Sequence, residues 1–208
     1  MKILFLHGLG QTKDAWDQTI QAVRGKSTEC IELFVPNAKN QTFCTLADRL
    51  EQKLIKEKEP IVLCGLSLGA VLALELYFRQ PEKIKGLILI APQYRMPTKI
   101  IDIQNIIFRL MPNKLFAKMG ITKREIISVT SSMRQIDYHD KIKRINLPVY
   151  IICGSKDRAN KKAAVSLNNM LPLSKLFMIN DAGHEVNIDK PKELARIINE
   201  AFIFKGVN

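Results

Sequence analysis

The sequence has no long hydrophobic run, and this absence excludes two classes of protein. Its first apolar stretch, Ile3–Leu6, ends at His7 and Gly8. A signal peptide has an apolar core of about 7–15 residues, and a transmembrane helix needs about 20 apolar residues. Neither pattern occurs in the 208 residues. We therefore expect a cytoplasmic protein without a membrane span.

Patterns that bind metals and nucleotides are also absent. The four cysteines form no CxxC pair, and the sequence contains no HExxH or EF-hand pattern. Gly8 and Gly10 form a GxG pattern, but Lys13 occupies the place of the third glycine in a dinucleotide-binding loop. A phosphate-binding loop of the type GxxxxGK[ST] does not occur either. We expect neither a metal nor another cofactor.

Acidic residues are fewer than basic ones, which leaves a net charge of +12. A charge of this size can attract nucleic acid, anionic lipid or an acidic substrate. The basic residues are spread along the chain, however, and no long basic run is interleaved with aromatic residues. We interpret them as a solvated surface. The expected partner is a small-molecule substrate rather than nucleic acid, and the expected state is a monomer or homodimer.

Short aliphatic runs alternate with longer helix-like segments along the chain. Most runs are continuously apolar, as in strands that are buried on both faces. The alternation favours an α/β fold with about six strands in a mainly parallel sheet and helices on both faces. We expect a single domain over residues 1–208. The predicted strands are Ile3–Leu6, Cys30–Val35, Pro60–Cys64, Gly86–Ile90, Val149–Cys153 and Lys175–Ile179.

Three of the intervening segments have a clear helical character. Thr45–Lys58 carries one apolar stripe opposite its charges. Leu68–Arg79 is apolar nearly all round, which is typical of a helix buried in the middle of a fold. Pro191–Phe202 opens with a proline, which suits the first turn of a helix. These segments predict helices that cover the sheet.

Residues 93–146 interrupt this alternation, because they contain no convincing strand. An insertion of this length in a compact βα pattern is usually functional or separately structured. We predict a short helical cap over the carboxyl edge of the sheet; an ordinary pair of crossover helices is the alternative. One predicted helix covers Lys123–Arg134, and the other carries Ile100, Ile101, Ile103, Ile106, Ile107 and Leu110.

The strongest motif is Gly65–Gly69, which reads GLSLG. It follows the predicted strand Pro60–Cys64 and opens the predicted helix Leu68–Arg79. This strand–turn–helix setting is the one that a nucleophile elbow requires, because the sharp turn exposes the serine hydroxyl. The helix N-terminus would also favour an oxyanion. Ser67 is therefore the candidate nucleophile.

A serine hydroxyl needs a base to act as a nucleophile at neutral pH. Of the three histidines, His139 lies in a polar stretch and His7 follows the first strand. His184 lies between the last predicted strand and the last helix, where the serine–acid–histidine order places the base. We expect His184 to be the base.

The acid must accept a hydrogen bond from the imidazole of that base. Asp157 comes directly after a predicted strand, and the carboxyl ends of parallel strands are where such sheets place ligand groups. Asp181 is the rival, but it lies only three residues before His184 and could instead shape that loop. We favour Asp157.

The oxyanion of an acyl-transfer reaction needs preorganised N–H donors. One candidate donor is the backbone N–H of Leu68, directly after the nucleophile. The second should come from the loop after the first strand, at Leu9. Gly8 and Gly10 would let this loop approach the substrate, and we expect His7 to brace it.

These motifs resemble those of the α/β-hydrolase superfamily over essentially the whole chain. The resemblance implies the α/β-hydrolase fold, cleavage of carboxylic esters through an acyl-enzyme on Ser67, and a cap that shapes the pocket. Many members have two further strands before the first loop, which are missing here. The matching motifs, in the order of the superfamily, are His7-Gly8, Gly65–Gly69, Gly154–Asp157 and Gly183-His184.

The resemblance leaves the substrate open. The isoleucine-rich cap suggests an apolar acyl or alcohol group, and the candidate substrate-binding residues are His7, Gly8, Ile103, Ile106 and Ile107. A thioesterase or a menaquinone-pathway-like C–C lyase would use the same triad on an acidic substrate. A carboxylate could then be held by cap arginines, namely Arg95, Arg109, Arg124 and Arg134. A signalling protein of the same fold that only binds its ligand is a third possibility.

Overall fold

The computed structural model describes residues 1–35, 38, 40–117 and 121–201, with the side chains of Ile100 and Ala117 excepted. Within this part of the chain, six strands form one sheet in the order β2-β1-β3-β4-β5-β6, and every neighbouring pair is parallel. The predicted fold class is confirmed. The strands are β1 (Lys2–Leu6), β2 (Ser27–Ile31), β3 (Ile61–Leu66), β4 (Ile84–Ile90), β5 (Val149–Gly154) and β6 (Ser174–Ile179).

Helices cover both faces of the sheet and follow the strands in sequence. The predicted helix end at Phe202 and the predicted apolar side chain of Ile100 lie outside the described residues. The helices are α1 (Asp17–Ala22), α2 (Phe43–Lys56), α3 (Leu68–Arg79), α4 (Thr98–Leu110), α5 (Asn113–Ala117), α6 (Lys123–Ser132), α7 (His139–Ile142), α8 (Lys161–Met170), α9 (Val186–Asp189) and α10 (Pro191–Ala201).

The sheet separates two hydrophobic cores, because alternate residues of each strand point to opposite faces. Leu4 and Leu6 of β1 pack in the core that contains α2, α3, α8 and the helices between β4 and β5. Ile3 and Phe5 pack in the core on the other face, together with residues of α10 and of α1. The continuously apolar strands therefore have both faces buried, as the pattern predicted.

The second strand differs from its prediction. The sequence favours a strand over Cys30–Val35, whereas β2 covers Ser27–Ile31. The chain leaves the sheet after Ile31, where the backbone N–H of Leu33 donates to Nε2 of the buried His7 at 3.0 Å. Leu33 and Phe34 are buried all the same. Their apolar character is therefore explained by burial in the core, and not by pairing in the sheet.

Helices α4 to α7 occupy the segment between β4 and β5. Helix α4 packs on α6, and Thr130 of α6 donates to the side chain of the buried Asn105 of α4. We call α4, α5 and α6 the cap helices. None of the helices in the described ranges is both long enough and apolar enough to span a bilayer.

Candidate active site

Ser67 lies in the sharp turn between β3 and α3. Its backbone has φ 53° and ψ −110°, a conformation that costs energy for a residue with a side chain. The turn is held in place because the N–H of Ser67 donates to the carbonyl oxygen of Ile90 at 2.9 Å. Its side chain does not cap the helix. The strained turn thus leaves the hydroxyl free to face a substrate.

The glycines of the elbow permit close contact between backbone segments. A Cβ atom on Gly69 would lie 2.1 Å from the carbonyl oxygen of Leu6, and one on Gly65 would lie 2.1 Å from that of Gly69. Both distances are far below van der Waals contact. Only glycine therefore lets α3 start directly against β1 and β3, which is how the turn brings Ser67 close to the loop after β1.

Asp157 and His184 form a hydrogen-bonded pair at the adjacent strand ends. Nδ1 of His184 lies 2.8 Å from Oδ2 of Asp157. Asp157 is buried, whereas 43% of the His184 side chain is exposed. A carboxylate only accepts hydrogen bonds, so Nδ1 carries the proton and Nε2 is left as the basic nitrogen. This is the tautomer that a general base requires.

Asn160 fixes the carboxylate of Asp157. Its Nδ2 donates to Oδ1 and Oδ2 at 3.0 and 2.9 Å, and its backbone N–H donates to Oδ1 at 3.2 Å. Gln93 in turn donates to Oδ1 of Asn160 at 2.9 Å. The rival acid, Asp181, is exposed and pairs with Lys156. The structure therefore brings Asp157, and not Asp181, to the imidazole.

These contacts predict how stability depends on pH. Burial raises the pKa of Asp157, but the hydrogen bonds from His184 and Asn160 outweigh burial, so its pKa lies below the ordinary value. The folded state thus gains stability that is present above about pH 4 and is lost as the pH falls further. We expect the unfolding free energies of wild type and Asp157→Asn to converge below about pH 4 in urea titrations.

The exposed Asp181 provides the matched control for this experiment. Exposed ion pairs contribute little to stability, so the difference between wild type and Asp181→Asn should change little over the same pH range. A stability gap for Asp157→Asn that stayed constant down to pH 2 would contradict the assigned role of the carboxylate.

Ser67, Asp157 and His184 all border one cavity of about 800 Å³. No hydrogen bond joins the hydroxyl of Ser67 to His184 among the described contacts. Such bonds are often long in the absence of substrate and tighten when it binds. The structure therefore brings together, in one wall, the three residues that the sequence singles out.

The loop after β1 forms the neighbouring part of the wall. Leu9, Gly10 and Leu68 border the cavity, and Gly10 has a φ of 83°, which favours glycine. The loop turns tightly, since the N–H of Gln11 donates to the carbonyl oxygen of Gly8 at 3.2 Å. The residues predicted to supply the oxyanion donors, Leu9 and Leu68, thus border the same cavity as Ser67.

The prediction that His7 and Gly8 contact the substrate needs correction. Neither residue borders the cavity. The ring of His7 is fully buried, with Nδ1 at 2.9 Å from the carbonyl oxygen of Gly8 and Nε2 at 2.8 Å from Oε1 of Glu32. The ring of His7 therefore contacts protein groups and not the cavity. The contact with the carbonyl oxygen of Gly8 joins the ring to this loop, which supports the predicted bracing role.

Sequence reasoning missed a buried amide network that links this loop to the His184 loop. Oε1 of Gln11 accepts from the N–H of Gly8 at 3.1 Å, and Nε2 of Gln11 donates to Glu185 at 2.9 Å. Asn187 donates to Gln11 at 3.3 Å and to the carbonyl oxygen of Ala15 at 3.0 Å. An amide in a polar loop carries no local signal of this role. The network ties the loop after β1 to the loop that carries His184.

The cap isoleucines that were predicted to contact the substrate point away from the cavity. Ile103, Ile106 and Ile107 are 59%, 55% and 51% exposed. The opposite face of α4 borders the cavity, through Ile101, Gln104 and Phe108. Residues three, four and seven apart share one face of a helix. The prediction therefore assigned to the cavity three isoleucines that lie on the outer surface of α4.

The cavity wall is mainly apolar beneath the cap helices and polar beside Ser67, Asp157 and His184. None of the four cap arginines borders it. Arg95 is paired with Asp137, and Arg134 with Asp102. Among the described residues of the wall, Lys162 is the single lysine or arginine. The apolar side chains of the wall include Val71, Met96, Ile101, Phe108, Met111, Phe116, Ile126 and Met133.

Comparison with known sequences agrees with this geometry. A sequence model described as "Alpha/beta hydrolase family" matches residues 3–197. A putative 2-succinyl-6-hydroxy-2,4-cyclohexadiene-1-carboxylate synthase from Bacillus subtilis is 30% identical over 60 residues. Those residues are 29% of this chain and only 22% of that protein.

Solved structures share the fold over nearly the full chain. A hydrolase from Pseudomonas aeruginosa superposes with a TM-score of 0.84 at 16% identity, over 96% of this chain and 89% of that one. An enol-lactonase from Burkholderia xenovorans has a TM-score of 0.83 at 16% identity, with coverage of 97% and 91%. Carboxylesterase CesB from Bacillus subtilis has a TM-score of 0.76 at 17% identity, with coverage of 99% and 84%.

Proposed function

Since the chain belongs to the alpha/beta hydrolase family, we propose that it is a serine hydrolase that cleaves carboxylic esters through an acyl-enzyme on Ser67. The observation that carries the proposal is the position of the strained Ser67 on the wall of a largely apolar cavity. The hydrogen-bonded pair of Asp157 and His184 borders the same cavity. The proposed nucleophile, base and acid thus border one cavity in which an ester could bind.

In the proposed reaction, Nε2 of His184 takes the proton of the Ser67 hydroxyl while its oxygen attacks the ester carbonyl. The negative charge of the carbonyl oxygen is then held by the backbone N–H groups of Leu9 and Leu68. Asp157 stabilises the imidazolium. His184 returns the proton to the leaving alcohol, and a water molecule, activated by the same base, releases the acid and restores Ser67.

The chemistry of the wall indicates the type of acyl group. The cap side of the cavity is lined by aliphatic, aromatic and methionine side chains, which exclude charge and adapt to flexible chains. Specific hydrogen-bonding groups are concentrated beside the triad, at Gln93 and Asn160. We infer an ester whose acyl chain is apolar and extends under the cap.

A chain-length series of nitrophenyl esters tests this assignment. Each methylene buried under the cap contributes about 0.8 kcal/mol, so kcat/KM should rise about fourfold per methylene from acetate until the cavity is filled. Acetate and butyrate with equal kcat/KM would contradict an acyl site under the cap. A fluorophosphonate probe should label the same protein, and mass spectrometry should locate the adduct on Ser67.

A second candidate is a menaquinone-pathway-like C–C lyase, which would use the same triad on an acidic, succinyl-bearing cyclohexadiene. The sequence similarity over 60 residues favours it, whereas a cavity wall with Lys162 as its single described lysine or arginine is poorly suited to a polyanionic substrate. Three substrates discriminate the candidate activities: the succinyl-bearing cyclohexadiene tests for a lyase, acyl-CoA for a thioesterase, and the nitrophenyl esters for an esterase. We would compare their turnover in the same preparation. Tight ligand binding without turnover of any of them would indicate a signalling protein.

A further inference from the structure

Helix α4 has a second apolar face that points away from the protein. Ile103, Ile106, Ile107 and Leu110 are spaced at i, i+3, i+4 and i+7, so they form one stripe. All four are more than half exposed, and Leu110 reaches 81%. Leu115 of α5 is 42% exposed as well. Large apolar side chains grouped in this way on a surface usually mark an interaction site.

Basic residues accompany this stripe. Exposed Lys99 lies one turn before Ile103, exposed Arg109 precedes Leu110, and exposed Lys114 precedes Leu115. The acidic residue in the same stretch, Asp102, is already paired with Arg134 at 2.9 Å. An apolar stripe with cations beside it is the pattern of helices that lie in the interface of a membrane with anionic lipids.

The start of α6 adds further basic and apolar residues beside this stripe. Nζ of Lys123 donates to the carbonyl oxygen of Arg109 at 3.0 Å, which joins it to the end of α4. A cavity of about 610 Å³ there is bordered by Lys123 and Arg124 together with Ile121 and Ile127. Cations beside an apolar recess suit a lipid with an anionic head group and an acyl chain.

We propose that the outer surface of the cap, formed by the α4 stripe with Leu115 and the cations Lys99, Arg109, Lys114, Lys123 and Arg124, binds an anionic lipid surface. A second copy of the chain is a poorer occupant. A two-fold interface places the same patch on both partners, so these cations would face one another across it. An anionic bilayer neutralises them and at the same time covers the isoleucines.

The location of the surface agrees with the site beneath it. The inner face of α4 forms part of the wall of the cavity that contains Ser67, so a lipid surface bound outside would lie one helix away from the cavity. Binding itself needs no chemistry at Ser67. The inference therefore goes beyond the proposed ester hydrolysis, and either can fail without the other.

Vesicle flotation with the full chain tests the inference. We expect binding to vesicles of phosphatidylcholine with an equal part of phosphatidylglycerol, and little to phosphatidylcholine alone. Raising sodium chloride from about 0.1 M to about 0.5 M should weaken binding, because salt screens the cations. Ser67→Ala protein should bind like wild type. Absence of binding to the anionic vesicles would overturn the inference.

Two double variants separate the apolar and the charged contributions. One double variant combines Ile103→Asn with Leu110→Asn, and the other combines Lys99→Glu with Lys114→Glu. Each should reduce the vesicle partition coefficient by about tenfold or more. The matched controls are Ile55→Asn with Leu173→Asn, and Lys56→Glu with Lys58→Glu. These exposed residues lie near the amino ends of the strands, away from the cap. They should leave the partition coefficient within about twofold.

Thermal unfolding followed by circular dichroism checks that each variant is folded. Equal loss of binding in cap and control variants would show that general charge or hydrophobicity is responsible, and would overturn the inference. A concentration-dependent dimer of the wild type, abolished by Ile103→Asn with Leu110→Asn and unaffected by vesicles, would assign the surface to self-association instead.

Discussion

Ser67→Ala is expected to lower kcat/KM for nitrophenyl esters by about 10⁴–10⁶-fold, because the variant lacks the oxygen that attacks the carbonyl. Alanine removes only the hydroxyl, and Ser67 makes no helix-capping hydrogen bond through it. The turn that holds residue 67 depends on backbone contacts, such as its N–H to the carbonyl oxygen of Ile90. The variant should therefore fold like the wild type.

The measurement is steady-state turnover of the best ester of the chain-length series. Ser27→Ala is the matched control, since Ser27 is exposed at the start of β2 and away from the cavity. It should keep wild-type kcat/KM and fluorophosphonate labelling. If Ser67→Ala retained wild-type turnover in a preparation free of other esterases, the proposed nucleophile would be wrong.

Gly69→Ala is expected to lower the free energy of unfolding by about 3 kcal/mol or more, the upper part of the range for added atoms in a packed interior. The new Cβ would lie 2.1 Å from the carbonyl oxygen of Leu6 and 2.9 Å from that of His7. Both atoms belong to backbone, which cannot rotate away. Helix propensity favours alanine by about 1 kcal/mol at most, so the clash dominates.

Gly69→Ala should also reduce ester hydrolysis. Relief of the clash moves α3 away from β1, and with it the N–H of Leu68 away from that of Leu9, so the two proposed oxyanion donors separate. Gly86→Ala is the matched control, because Gly86 is also buried and its added Cβ would lie 3.6 Å from its nearest neighbour, an ordinary contact. Urea unfolding should therefore separate the two variants clearly. Equal stability would contradict the tight packing at Gly69.

Much of the fold could be predicted because it depends on local patterns. The strands of the middle of the sheet are continuously apolar, and this pattern identified them to within about two residues. The second strand was placed too late, because Leu33 and Phe34 are as apolar as strand residues but are buried outside the sheet. Hydrophobicity records that a residue is buried, not which neighbour buries it.

The candidate site was predictable for a related reason. Ser67, Asp157 and His184 each follow a strand, and the ends of parallel strands meet at one edge of the sheet. The proximity of Asp157 to His184 therefore follows from strand order, and the contact of 2.8 Å between their side chains agrees with the choice of Asp157 over Asp181. Asn160 and Gln11 were missed, because a single amide side chain in a loop has no pattern of its own.

The amino-acid sequence by itself determined the parallel sheet, the elbow at Ser67 and the chain order of the candidate triad, since these follow from local spacing and from the way strands alternate with helices. Only the tertiary structure decided which face of α4 borders the cavity and which faces outward. Both faces of that helix carry large apolar side chains, so the hydrophobic pattern alone is nearly symmetric between them. The packing of α4 on α6 removes that symmetry.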